Sequence, residues 1–185
     1  MKTYLNFGLV FCILFSGLMG CKKKEAVPTE PLVFSFQLLN EQGQETNVFA
    51  PNQNIIFHFE ARNNTDQPMK FLTRVSDLDS TSLPAIYQGT IGSSHLVGQP
   101  YKRTCNDFLT PPYTVPAHGN TSFTIAWVSS TRYPDKEPFC IHATTTWLPK
   151  GHYYALFAPT FFWYQEGVTT TQTTPPPFVR EFDVR

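Results

Sequence analysis

The groups able to do chemistry are few and scattered. His58, His95, His118, His142 and His152 do not show the short ligand spacings of a zinc site, which wants three or four donors together. Cys140-x-His142 is one residue too close for a zinc-finger pair, and no HExxH is present. A serine in a GxSxG elbow and a glycine-rich phosphate loop are also missing from the sequence. Gly92-Ser93-Ser94-His95 reads as a polar turn. Asp77 and Asp79 are an acidic pair two positions apart, and Val75-Ser76-Asp77-Leu78-Asp79 reads as a solvated loop. Glycoside chemistry would need two carboxylates facing across a cleft. These residues assign no catalytic group, no metal and no cofactor. The remaining chemical feature is the run Phe161-Phe162-Trp163-Tyr164. On a strand, alternation sends two of these four rings outward. They either meet a second covered face, as in a central strand, or form a ledge for a carbohydrate or protein partner.

The chain that must position these groups has 185 residues, enough for one domain or two small ones. Basic and acidic residues number 14 each, charged residues make up only 15%, and there are 17 Phe. Disorder needs low hydrophobicity and high net charge, so this composition argues for a packed core. A neutral chain with no basic run in its body is a poor nucleic-acid binder.

The N-terminus reads as an address. Lys2 supplies a positive start, and Phe7 to Leu18 is an apolar run too short to span a bilayer, which takes about 20 residues. It fits the apolar region of a secretory signal. The run ends in Leu18-Met19-Gly20-Cys21, which resembles a bacterial lipobox. The resemblance implies cleavage before Cys21 and acylation of its thiol, with residues 1–20 as signal peptide and Cys12 lost with it. Residues 21–31, from Lys22-Lys23-Lys24 to Pro28 and Pro31, form a polar, Pro-containing tether. Lipoproteins with Asp after the acylated Cys stay in the inner membrane. Lys22 in that place implies the outer membrane. An exported protein sits in an oxidising compartment, where Cys105 and Cys140 are expected to pair. The alternatives are a free nucleophilic thiol or metal ligands. The closed loop would stabilise by roughly 4 kcal/mol on the chain-entropy model.

From residue 32 to 185 the pattern is of short strands. Phe34, Phe36 and Leu38 alternate with polar neighbours. Ile55, Phe57, Phe59 and Ala61 point one way while Ile56, His58, Glu60 and Arg62 point to a wetter face. Further strands are predicted around Met69 and Phe71, Phe123-Ile125-Trp127, Tyr153-Ala155-Phe157 and Phe178 to Val184. One wet face and one dry face is the signature of an antiparallel sheet packed on one side. No helical period is sustained, and 16 Pro are spread along the chain. Short strands divided by turn clusters imply a β-sandwich or barrel. Residues 75–118 are less regular and read as a pair of irregular strands with an extended excursion over 75–114. The Thr/Pro-rich stretch 169–177 reads as an exposed loop between the last two strands.

The turns carry a further likeness. Asn63-Asn64-Thr65 after a strand, Val115-Pro116-Ala117-His118-Gly119 before another, and Leu148-Pro149-Lys150-Gly151-His152-Tyr153 opening a third resemble the immunoglobulin-like domains of the intracellular proteinase inhibitor (BsuPI-like) family of bacilli. Pro presets φ, Gly supplies positive φ, and the aromatic that follows enters the core. The resemblance implies an all-β, immunoglobulin-like antiparallel sandwich with an irregular insertion, and inhibition of proteinases as one function. The reading that fits the whole chain is a lipid-anchored envelope module for binding or assembly, without catalytic activity. Its partner would be another envelope protein or a carbohydrate, met through Phe161, Phe162, Trp163 and Tyr164. A hydrolase is the third reading.

Overall fold

The computed structural model describes residues 30–73, 83–103, 113–128, 141–159, 161–164, 171–173 and 175–185. Cys21, Cys105 and Cys140 lie outside the described residues, as do residues 1–29, on which the expected signal peptide and most of the expected tether fall. Among the described residues there are three sheets and one two-stranded ladder. The first sheet has the order β1-β3-β9, with β1 (Leu32–Leu39), β3 (Ile56–Asn63) and β9 (Asn120–Ala126) all antiparallel. The second has the order β2-β14-β11-β5-β6, formed by β2 (Val48–Phe49), β14 (Phe178–Val184), β11 (Gly151–Phe157), β5 (Ala85–Gln88) and β6 (Leu96–Gly98). The third has the order β13-β12-β4-β8, formed by β13 (Thr171–Thr173), β12 (Phe161–Tyr164), β4 (Met69–Thr73) and β8 (Tyr113–Val115). The ladder pairs β7 (Tyr101–Arg103) with β10 (Ile141–Ala143).

Alternation puts the expected residues inside. Phe36 and Leu38 of β1 face Phe57, Phe59 and Ala61 of β3, all at most 2% exposed. Opposite them lie Tyr153, Ala155 and Phe157 of β11 and Phe182 and Val184 of β14, also buried. Phe36 and Phe59 meet Phe157 and Phe178 across the interior at centroid distances of 5.2 to 6.1 Å. Each such ring contributes about 1.5–3 kcal/mol by leaving water. His58, on the outer face between Gln37 and Thr124, is half-buried rather than wet, and its Nδ1 is enclosed without a hydrogen-bond partner.

The strand order identifies the architecture. β1, β3 and β9 occupy the places of strands A, B and E, and β14, β11, β5 and β6 those of G, F, C and C′ of an immunoglobulin-like sandwich. β2 leaves the first sheet to pair in parallel with β14. The tyrosine corner of such folds is present where strand F starts: Tyr153 Oη donates to Pro149 O at 2.8 Å. A Cβ at Gly151 would lie 3.1–3.2 Å from that phenol, so any larger residue would press on the ring. Burial pushes the Tyr153 pKa up, which keeps the phenol a donor.

The third sheet is joined to the sandwich at one end. β4 follows β3, β8 precedes β9, β12 follows β11 and β13 precedes β14, so all four strands meet at the break between the β3–β9 and β4–β8 ladders. Asn63, fully buried, holds that break. Its Nδ2 donates to the carbonyls of Gln67 (2.7 Å), Pro116 (3.0 Å) and Val115 (3.3 Å), and its Oδ1 accepts from Thr65 N and Thr65 Oγ1. The Asn63-Asn64-Thr65 triplet is thus an Asx turn with no free amide. Asn64 fixes the start of the domain: its N–H donates to Pro31 O and its Nδ2 to Glu30 O, both at 2.9 Å. At the other end, buried Asn54 pairs both ways with the Val128 backbone, extending the β3–β9 ladder with a side chain.

Two stretches are more regular than the sequence indicates. Within 75–114 the described residues form β5 and β6, which belong to the main sheet, and also β7 and the start of β8. Strands of three or four residues are too short to show a period, and Tyr87 packs on the outer face while Ile86 fills the core, which erases alternation. Within 169–177, Thr171–Thr173 pair with β12 as an edge strand.

Replacing Asn63 by Ala should cost about 3 kcal/mol or more, because several buried backbone groups lose their partner together. Tyr153→Phe should cost about 1 kcal/mol, a single hydrogen bond. Urea unfolding of both variants checks the order, and a near-neutral Asn63→Ala would remove the corner from its central place.

Candidate functional site

The aromatic run lies where strand alternation puts it. β12 is an inner strand of its sheet, between β13 and β4. Trp163 pairs with Phe71 and packs, partly buried, against the main core. Tyr164 follows on the opposite face, half-buried, in one row with Lys70 and Thr114. The side chains of Phe161 and Phe162 lie outside the description. Of the two described rings, Trp163 serves the fold and Tyr164 lies on the outward face.

A second aromatic surface has no counterpart in the sequence reading. On the outer face of the five-stranded sheet, Tyr154 and Tyr87 are paired in register and stack at 4.9 Å with an interplanar angle of 8°. The β5–β6 hairpin curls over them. Tyr154 Oη donates to Ser93 O at 2.6 Å, and Gly89 N donates to His152 O at 2.8 Å. Gly89 has φ +97°, a backbone conformation that other residues rarely adopt, so the curl favours glycine. The bracing leaves Tyr154 only 5% exposed, while Ile91 at the tip is 58% exposed and Leu96 beside it 53%. Val97, also exposed, occupies a bulge where the β5–β6 register shifts.

Beside this surface runs a polar cluster. His152 and Asp183 are directly opposite on β11 and β14, and Nδ1 of His152 lies 2.8 Å from Asp183 Oδ1. Asp183 also accepts from Arg185, and Glu181 Oε1 lies 3.8 Å from His152 Nε2. The hydrogen bond to Asp183 raises the His152 pKa above its ordinary value, and the bond from His152 lowers that of Asp183, with Arg185 adding to the second effect. Glu181 and Arg180 border an open depression of about 420 Å³, completed by Leu38, Glu45, Thr46 and Asn47. His118 makes a separate surface pair with Asp66 at 2.7 Å. Among the described residues no three His, Cys, Asp or Glu side chains are grouped to hold a metal ion.

Cys105 and Cys140 lie outside the described residues, so their place relative to the aromatic run is not described. Residues missed by sequence reasoning are Tyr87, Tyr154 and the hairpin tip. Their one signal was the pair of glycines, Gly89 and Gly92, flanking Thr90 and Ile91.

The His152–Asp183 pair gives a pH dependence with a definite sign. A raised histidine pKa means its stabilisation is full below the ordinary 6.5 and is lost as pH rises through the folded value. A lowered carboxylate pKa means the Asp183 contribution is present above the ordinary 3.8 and is lost as pH falls through its folded value. An NMR titration should place the His152 midpoint above 6.5, and Asp183→Asn should bring it down. A midpoint unmoved by that substitution would dissolve the pair.

No family model matches this chain, and no curated protein does. Two solved structures are similar in fold at low identity. One is an X-ray structure described as Northeast Structural Genomics Consortium target SoR45, with 14% identity, 83% of this chain and 88% of that chain covered, and a TM-score of 0.35. The other is the ASH/PapD-like domain 7 of human CEP192, with 10% identity, 86% and 89% covered, and a TM-score of 0.38. The immunoglobulin-like assignment rests on strand order and the tyrosine corner, not on these likenesses.

Proposed function

We propose that the protein is a lipid-anchored module of the cell envelope that binds or helps assemble another envelope component and performs no chemistry of its own. The observation that carries the binding part is the β5–β6 hairpin. Its tip is braced by Tyr154 and His152 yet presents Ile91 and Leu96 to solvent. A fixed loop with exposed apolar side chains binds without the entropy cost of ordering itself. The partner on this reading is an envelope protein or carbohydrate, with Tyr164 of the aromatic run as a second contact. The anchor part draws on Leu18-Met19-Gly20-Cys21 and on Lys22, which favours the outer membrane. Cys21→Ser should abolish acyl labelling and release the protein from the membrane fraction. Labelling that persists in this variant would remove the anchor.

A disulfide between Cys105 and Cys140 belongs to the same reading. Support comes from the β7–β10 ladder, in which Arg103 is paired with Ile141. Cys140 is the neighbour of Ile141, and Cys105 follows Arg103 by two positions. The ladder thus holds side by side the segment that follows Cys140 and the segment that ends two positions before Cys105. Non-reduced peptide mapping of protein taken from the envelope should recover the linked pair, and two free thiols there would overturn it.

The second reading is a proteinase inhibitor. The same hairpin favours it, since an inhibitor must present a rigid, protruding loop to a protease cleft. Titration against a panel of serine proteases decides: inhibition lost on Ile91→Asp supports it, and no inhibition at micromolar protein removes it.

A further inference from the structure

The point where the chain joins the domain is fixed. Asn64 binds the carbonyls of Glu30 and Pro31. It projects from the corner that buried Asn63 ties to Gln67, Val115 and Pro116. That corner lies at the end of the sandwich carrying the third sheet, with the turns 64–68 and 116–119. The opposite end carries the turns 40–45 and 50–53, the hairpin tip 89–95 and exposed Val48. From this placement we infer that the domain stands on the membrane by its Asn63–Asn64 end, facing the lipid surface with turns 64–68 and 116–119 and holding the 89–95 hairpin away from it. The inference rests on acylation at Cys21.

The length of chain outside the structure makes the restraint effective. Cys21 precedes Glu30 by nine positions. Such a segment spans about 30 Å when fully extended and about 15–18 Å on average as a flexible coil. The eight residues of β1 alone run about 27 Å along the sandwich. The average tether is shorter than the domain, so the domain cannot turn over without stretching it nearly straight. The facing end suits a headgroup layer through Tyr164 and Lys70, which share an outward row of the third sheet. It also carries Glu30 and Asp66, so attraction of lysine to anionic lipid does not set the orientation. The tether does.

The test uses acylated full-length mature protein in vesicles of phosphatidylethanolamine and phosphatidylglycerol with an energy acceptor on the headgroups. A fluorescent non-natural residue replaces Gln67 in one sample and Thr90 in another, both exposed positions. Transfer from position 67 should exceed that from position 90 by about twofold or more, given the tether and strand lengths. Raising salt should leave the ratio unchanged. Inserting about 20 Gly/Ser residues before Glu30 lengthens the mean reach to about 30 Å and should bring the ratio close to one. Equal transfer in vesicle-bound protein, or a ratio that survives the long tether, overturns the orientation. Protein that fails to sediment with vesicles counts instead against the anchor, so the two failures are distinguishable.

Discussion

The fold depends on a single buried amide. Where the β3–β9 ladder stops and the β4–β8 ladder begins, the backbone would present unpaired carbonyls and N–H groups to a dry interior. Asn63 supplies both a donor and an acceptor at that point, from a side chain with no solvent exposure. A buried amide is worth having only when its hydrogen bonds are made, and here they are. Remove it and several backbone groups are orphaned together. The break between ladders, the turn 64–68, the lock on Glu30 and Pro31, and the attachment of the third sheet all follow from it.

The opposite end uses the same logic with different residues. Asn54 stands in for a strand residue against Val128, and the Tyr153 phenol ties Pro149 to the first turn of β11. Between the two ends, the Phe cluster of β1, β3, β11 and β14 contributes most of the driving force and little of the specificity. Hydrophobic burial is non-directional, while the amides and the phenol specify where strands stop.

The large features were legible because their physics is periodic. Phe57, Phe59 and Ala61 alternate with His58, Glu60 and Arg62, and the structure sorts the first three into the core. The Leu148-to-Tyr153 turn was readable because Pro, Gly and Tyr each have a single dominant use there. β5 and β6 were not, since strands of four and three residues are too short to show a period, and β6 exposes Leu96 and Val97 where an alternating core strand would bury one of them. The Tyr87–Tyr154 surface was invisible for a different reason. These residues are 67 positions apart in numbering and meet only because β11 runs beside β5, a pairing that no local pattern encodes. The aromatic run at β12 was conspicuous in sequence, yet Trp163 turns out to serve packing, because contiguity of rings says nothing about which face a sheet leaves open.

The parallel pairing of β2 with β14 has a consequence for how the molecule is made. Phe49 rests on Phe182, and Phe36 on Phe178, so residues from the first strands complete their surroundings only when the last strand arrives. Contacts of such long sequence separation give a high contact order, and chains of this kind fold slowly, on the scale of milliseconds to seconds. The half-made sandwich has no stable core to close upon while its final strand is still absent. A chain with this wiring stays open to misplaced pairings until the seven residues of its last strand are available, so loss of β14 alone would unmake both sides of the core.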